Sequence, residues 1–125
     1  MDWSKYPNFS KDEFSCSETG ECNMSAAFMA KLQELRDVYG QPMTVTSGYR
    51  SPKHSIEASK PTGKLSVHTR GCAVDIACNG QQAHELMRLA FQMGFTGIGV
   101  AQKGSARFLH LDTFGGAPRP NVWSY

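Results

Sequence analysis

No apolar run in this chain approaches the roughly 18 residues that a membrane-spanning helix needs, so membrane insertion is not expected. There is no run of basic residues and no basic patch interleaved with aromatics. A net charge of +2 therefore gives no indication of a nucleic-acid partner. Internal repeats and low-complexity segments are missing too. Met1 to Phe14 is polar and aromatic and lacks the apolar stretch of a secretory leader. Synthesis in the cytoplasm without a signal peptide is the expectation. Cysteine is scarce, and Cys16, Cys22, Cys72 and Cys78 form no CxxC pair of the zinc-knuckle kind. Cys16 and Cys22 bracket a short SETGE segment and suit either a local disulfide or half of a metal site, according to the redox compartment. Cys72 and Cys78 read as buried free thiols on the apolar face of a strand.

What is there is an ordinary globular composition of 125 residues, 40% apolar and 19% charged. That suffices for a core and suits a single domain over residues 1–125. A monomer is expected. Residues 1–24 read as an irregular arm whose Trp3, Tyr6, Phe9 and Phe14 pack back onto the domain. From Ser25 to Tyr39, Phe28, Leu32, Leu35 and Tyr39 recur at helical spacing, with Ser25 as cap and Gly40 and Pro42 as stop. Met43 to Thr46 reads as a short strand, and Gly48 to Lys64 as a long loop of the kind that is usually functional. Cys72 to Cys78 is a strand by composition and length. A second helix spans Gln81 to Met93, with Ala83, Leu86, Met87, Ala90 and Phe91 inward and Gly94 as stop. Gly97 to Ala101 and Arg107 to Thr113 read as strands, and the Gly- and Pro-rich tail from Phe114 is anchored by Trp123 and Tyr125. The elements do not alternate regularly. The fold class is therefore α+β, an antiparallel sheet packed by two main helices.

Asp75 is the most informative residue. Strand alternation puts Ala73, Asp75 and Ala77 on one face and Cys72, Val74, Ile76 and Cys78 on the other. A carboxylate in the middle of an apolar strand is costly unless it is hydrogen-bonded, paired or bound to a metal. His68 lies seven residues before it. In the run RFLHLDTF, Phe108, His110 and Asp112 share one strand face. Singly, each has a plain structural explanation. Together, two imidazoles and a carboxylate are a common catalytic zinc set that leaves the fourth position for water. Zinc lowers the pKa of that water and polarises a carbonyl.

The stretches SGYRSPKH at 47–54, SVHTRGCAVDI at 66–76 and FLHLD at 108–112 resemble the M15 peptidase family. That family contains zinc D-Ala-D-Ala carboxypeptidases and phage L-alanyl-D-glutamate endopeptidases. The likeness is to its small, phage-type branch and extends over residues 9–125, including GFTGIGV at 94–100 and the terminal WSY. The resemblance implies a hedgehog/DD-peptidase-like fold with Zn2+ on His68, Asp75 and His110. It implies that Arg50 binds a substrate carbonyl or carboxylate near the metal, and that Ser66 orients His68 or the substrate. The implied substrate is a peptidoglycan stem peptide, and the implied setting is the cell wall, reached after release or from a virion.

One departure matters. Several relatives carry Glu or Asp three residues before the last zinc histidine, as general base, and Arg107 stands there. Asp112 is the nearest carboxylate, read as the base, as a partner of His110 or as a metal ligand. His54 and His84 are weaker candidates for the base. The leading reading is a phage endolysin; the departure gives weight to a second, a non-catalytic zinc module like the hedgehog signalling domains, and a virion structural component is a third.

Overall fold

In the computed structural model, which describes residues 1–61 and 65–125, the N-terminal arm has more order than its sequence suggests. A 3-10 turn at Trp3–Lys5 leads into a short helix, α1 (Lys11–Phe14), whose Glu13 accepts from the backbone N–H of Ser10 at 2.8 Å. Tyr6, Phe9 and Phe14 are buried in the main core, so the arm does pack back. Phe14 also fixes the start of the SGYR segment. Its carbonyl accepts from Tyr49 N at 2.8 Å.

Helix α2 covers Ala26–Tyr39. Ser25 caps it by accepting from Phe28 N at 3.2 Å, and Gly40 ends it in the left-handed region. A cap of this kind contributes about 1 kcal/mol. Strand β1 (Thr44–Ser47) comes one residue later than the expected strand. The expected loop from Gly48 contains a helical turn, α3 (Ser55–Ala58), and its end at residues 62–64 lies outside the described residues. A second 3-10 turn, Val67–Arg70, precedes β2 (Ala73–Ala77). Helix α4 (Gly80–Gln92), β3 (Gly97–Ala101) and β4 (Phe108–Asp112) follow the sequence reading closely.

The tail departs from that reading. Asn121–Ser124 forms a further strand, β5, so the sheet order is β1-β2-β4-β3-β5. β5 runs parallel to β3, whereas the other pairs are antiparallel. The fold is thus α+β, with one parallel pair in an otherwise antiparallel sheet.

Alternation divides the sheet into two chemically different faces. Val74, Ile76, Ile98, Leu109 and Leu111 join Phe28, Leu32 and Leu35 of α2 and Leu86 and Leu89 of α4 in one buried cluster. Each such side chain contributes roughly 1.5–3 kcal/mol when fully buried. Phe91 is not part of it, contrary to the helical reading, and is 55% exposed. It follows Ala90, which is buried, and so lies about 100° round the helix from the packed stripe. The opposite sheet face carries Asp75, His110 and Asp112.

Candidate metal centre

On that polar face, Asp75 of β2 stands directly opposite His110 of β4. The strands therefore bring a carboxylate and an imidazole together from positions 35 residues apart. His68 comes from the 3-10 turn just before β2. Ser66 starts that turn by accepting from His68 N at 3.1 Å. Gly71 ends it at φ +72, and a Cβ there would lie 2.2 Å from the Asn23 carbonyl oxygen. Only glycine fits such a backbone angle at so close an approach. The Gly71 carbonyl also accepts from Ser25 N at 2.8 Å, which ties the His68 turn to the start of α2.

The result is a compact donor set. Asp75 Oδ1 lies 3.0 Å from His110 Nδ1 and 3.4 Å from His68 Nε2. One donor atom from each of the three side chains lies within 4.8 Å of the others. Ligands at 2.0–2.1 Å around a tetrahedral zinc are roughly 3.3 Å apart. Two imidazoles and a carboxylate at this spacing fit that ion.

The outer nitrogens strengthen the fit. His68 Nδ1 is 2.8 Å from the Gly48 carbonyl oxygen, to which it donates. His110 Nε2 is 2.6 Å from Asp112 Oδ2. With these outer partners, each ring can keep its proton on the side away from Asp75 when a metal takes the inner nitrogen. Both histidines are buried, at 5% and 3% exposure, which limits competition from water. Burial pushes the Asp75 carboxyl up, but bonds from His110 and His68 outweigh it and hold it at about 2. Burial lowers the His110 pKa, yet Asp112 and Asp75 together raise it above its ordinary value.

Two glycines make room for this arrangement. A Cβ on Gly97 would lie 2.3 Å from Asp112 Oδ2, and one on Gly99 would lie 2.7 Å from Trp123 Nε1. Trp123 of β5 packs beside His110, with ring centroids 5.1 Å apart. Asp112 is fully buried under this layer. Its Oδ1 accepts from Phe114 N and Arg119 Nε, and its Oδ2 from Arg119 Nη2 and His110 Nε2. The Arg119 guanidinium is itself stacked over Trp123 at 4.8 Å. Nothing in the sequence reading anticipated Arg119, which sits in an irregular PRP stretch.

Arg50 lies beside the histidine turn, since its backbone N–H donates to the His68 carbonyl at 3.3 Å. Its Nη1 bonds Glu57 Oε2 at 3.1 Å. Ser66 is half-buried and caps the His68 turn through its hydroxyl. His54 is placed elsewhere: Nδ1 accepts from Ile56 N and Nε2 is 3.0 Å from Glu18, so it caps α3. His84 is exposed on α4, and Arg107 is exposed and bonds the Gly104 carbonyl. Cys16 and Cys22 are free thiols, as are Cys72 and Cys78.

Glu57 was also missed. Its sequence trace is faint but real: it is the lone acidic residue between Gly48 and Lys64, among four basic ones. Only 1% of it is exposed. Burial pushes its carboxyl up, but bonds from Ser66 N, Lys60 and Arg50 hold it at about 2 against an ordinary 4.5. A depressed carboxyl pKa stabilises the fold above the unfolded value and loses that effect as pH falls toward the folded one. We therefore expect the Glu57 contribution to be complete above pH 4.5 and to fade toward pH 2. Its full span is about 3 kcal/mol. Urea unfolding of chelator-treated protein at pH 6, 4 and 3 tests this. Glu57→Gln should lose less stability on acidification than the wild type, and equal losses would refute the assignment.

Residues 7–112 match the family described as Peptidase M15. The peptidoglycan L,D-endopeptidase MepK of Escherichia coli (strain K12) is 31% identical over 88 residues, which is 66% of this chain and 47% of that protein. The protein of the same name from Shigella flexneri aligns with the same figures. The chain spans about half the length of the curated relatives it matches.

Proposed function

The chain belongs to the M15 peptidases, and from that premise we propose that it hydrolyses peptide bonds of peptidoglycan stem peptides with zinc held by His68, Asp75 and His110. The observation that carries the zinc reading is the convergence of three donor atoms whose two imidazoles are each fixed from behind. The substrate reading is supported by the relatives, which are named as peptidoglycan endopeptidases. The motif set of the small phage-type branch supports action on the cell wall after release or from a virion.

When bound, zinc supplies Lewis-acid polarisation of a carbonyl and acidification of water. The chain's own side chains do the rest. Gly48 and Asp112 hold the two imidazoles in the tautomers that present lone pairs to the site. Arg50 has five N–H donors and uses one of them among the described residues, so the others are free for a substrate carbonyl or carboxylate. Its side chain is 25% exposed, enough to meet a ligand while keeping its direction. Ser66 keeps His68 in place. Asp112 acts by orienting His110, since its four acceptor positions are already filled.

The test is digestion of purified peptidoglycan, with products read by mass spectrometry. Peptide cleavage that stops on chelation and returns with zinc is the expected result. Intact substrate at full zinc occupancy would favour a non-catalytic metal module instead. The role of Arg50 has its own test. Arg50→Lys keeps the charge but loses the planar fork. Turnover should fall roughly 10²-fold, as when an oxyanion donor is removed. Stability should change by less than about 1 kcal/mol, because the pair is partly exposed. Unchanged turnover would remove Arg50 from the reaction.

A further inference from the structure

Arg50 is held by a side chain that no motif of this chain includes. The buried Glu57 carboxylate divides its two oxygens between two structures. Oε2 accepts from Arg50 Nη1 at 3.1 Å and from Lys60 Nζ at 3.0 Å. Oε1 accepts from Ser66 N at 2.7 Å and from Thr69 Oγ1 at 3.4 Å. The first pair fixes a guanidinium, and the second fixes both ends of the turn that delivers His68.

We propose that Glu57 is the positioning residue of the site, binding the Arg50 guanidinium to the His68 turn so that the two keep one fixed separation. This rests on the role given to Arg50 above. Two hydrogen bonds already join the segments, one from the His68 ring to the backbone and one between backbones: His68 Nδ1 to the Gly48 carbonyl, and Arg50 N to the His68 carbonyl. They set where the Arg50 backbone lies, but leave its long side chain free to turn. Glu57 is the group that sets the direction of the guanidinium. The carboxylate is neutralised twice, by Arg50 and by Lys60. Arg50 is therefore not needed to balance its charge alone, and its remaining donors are available to a ligand. Lys60 is 31% exposed and, among the described residues, its side chain bonds Glu57 and not the His68 turn.

The test uses the full zinc-loaded chain and a defined disaccharide-tetrapeptide muropeptide. The variants are Arg50→Lys, Glu57→Gln and the double. Glu57→Gln keeps the shape and an oxygen for Ser66 N but removes the charge that holds Arg50. It is expected to retain zinc and lower kcat by about 10-fold to 100-fold, as small misplacements of a reacting group do. In the Arg50→Lys background most of that loss should vanish, because the two act as one unit. A merely structural role would give additive losses, and additivity overturns the proposal.

A second readout is independent of turnover. The side-chain Nε–H resonance of Arg50, followed by NMR, should move in Glu57→Gln toward the position of a free guanidinium. If Glu57→Gln does not fold, Glu57→Asp, which keeps the charge but shortens the reach, is read in the same way. An unmoved resonance overturns the proposal. A moved resonance with Arg50→Lys still fully active supports the positioning by Glu57 and overturns the role of Arg50 instead.

Discussion

His68→Ala and Asp75→Asn are both expected to purify without stoichiometric zinc and without measurable peptidase activity. The two substitutions fail for different physical reasons, and their agreement is the point of pairing them. Alanine at 68 removes a buried ring, one donor atom of the converging set and the partner of the Gly48 carbonyl. Leaving that carbonyl unpaired costs about 1–3 kcal/mol, so some loss of stability accompanies the loss of metal. Asparagine at 75 keeps the shape of the side chain and the strand pairing with His110. What it loses is the negative charge between two imidazoles. An effect shared by both variants therefore belongs to the metal and not to unfolding. Metal analysis after dialysis reads occupancy directly. Thermal or urea unfolding gives a second reading, since a ligand at 100 times its Kd stabilises the native state by about 2.7 kcal/mol. The wild type should gain that stability on adding zinc, and neither variant should. Full occupancy in both would move the metal to other residues. Among the described residues, however, no other His, Cys, Asp or Glu group converges in this way.

The three converging side chains were legible as a set because the sequence places them in or next to strand-like runs. Asp75 interrupts an apolar strand, and alternation put His110 and Asp112 on one face without any structure. What alternation cannot supply is register. That Asp75 faces His110, and not Phe108 or Asp112, is set by the pairing of β2 with β4 over a long sequence separation. The two long helices were legible for a similar reason, since Ser25 and Gly40 mark the ends of α2 by local hydrogen bonding and backbone angle. β5 was not, because its partner defines it. Asn121 N bonds the Thr96 carbonyl, and the strand then follows β3, whereas its own four residues lie after a Gly- and Pro-rich run. Glu57 and Arg119 were missed on the same principle. Neither lies in a stretch whose sequence shows a periodicity that would aim it, so each gains its meaning from groups that the folded chain brings alongside. Gly97 is a subtler case. The sequence shows it only as the first residue of a strand, whereas in the fold its missing side chain is the space that the Asp112 carboxylate fills.

Asp112→Asn is expected to weaken zinc binding by 10-fold to 100-fold, the usual cost of losing a group that orients a metal ligand. Activity should fall with it and recover substantially in excess zinc. The four bonds to Asp112 make the reasoning specific. Both oxygens are acceptors only, and His110 and Arg119 each donate to them. An amide offers one oxygen and one NH2 group in their place. If the oxygen faces His110, the NH2 meets the Arg119 guanidinium, donor against donor. If the NH2 faces His110, Nε2 must become the acceptor and the ring proton moves to Nδ1. Nδ1 is the nitrogen directed at Asp75, so that tautomer has no lone pair for a metal. Either rotamer disturbs the site, the second by blocking it. A general base behaves differently. Its loss leaves the metal affinity alone and lowers turnover by roughly 10²–10⁴-fold, and added zinc restores nothing. Chelator competition gives the zinc Kd, and turnover titrated with zinc gives the recovery. An unchanged Kd with activity lost at every zinc concentration would return Asp112 to the role of base. The structure argues against that outcome, because the carboxylate is fully buried and has no acceptor position left for a proton from water.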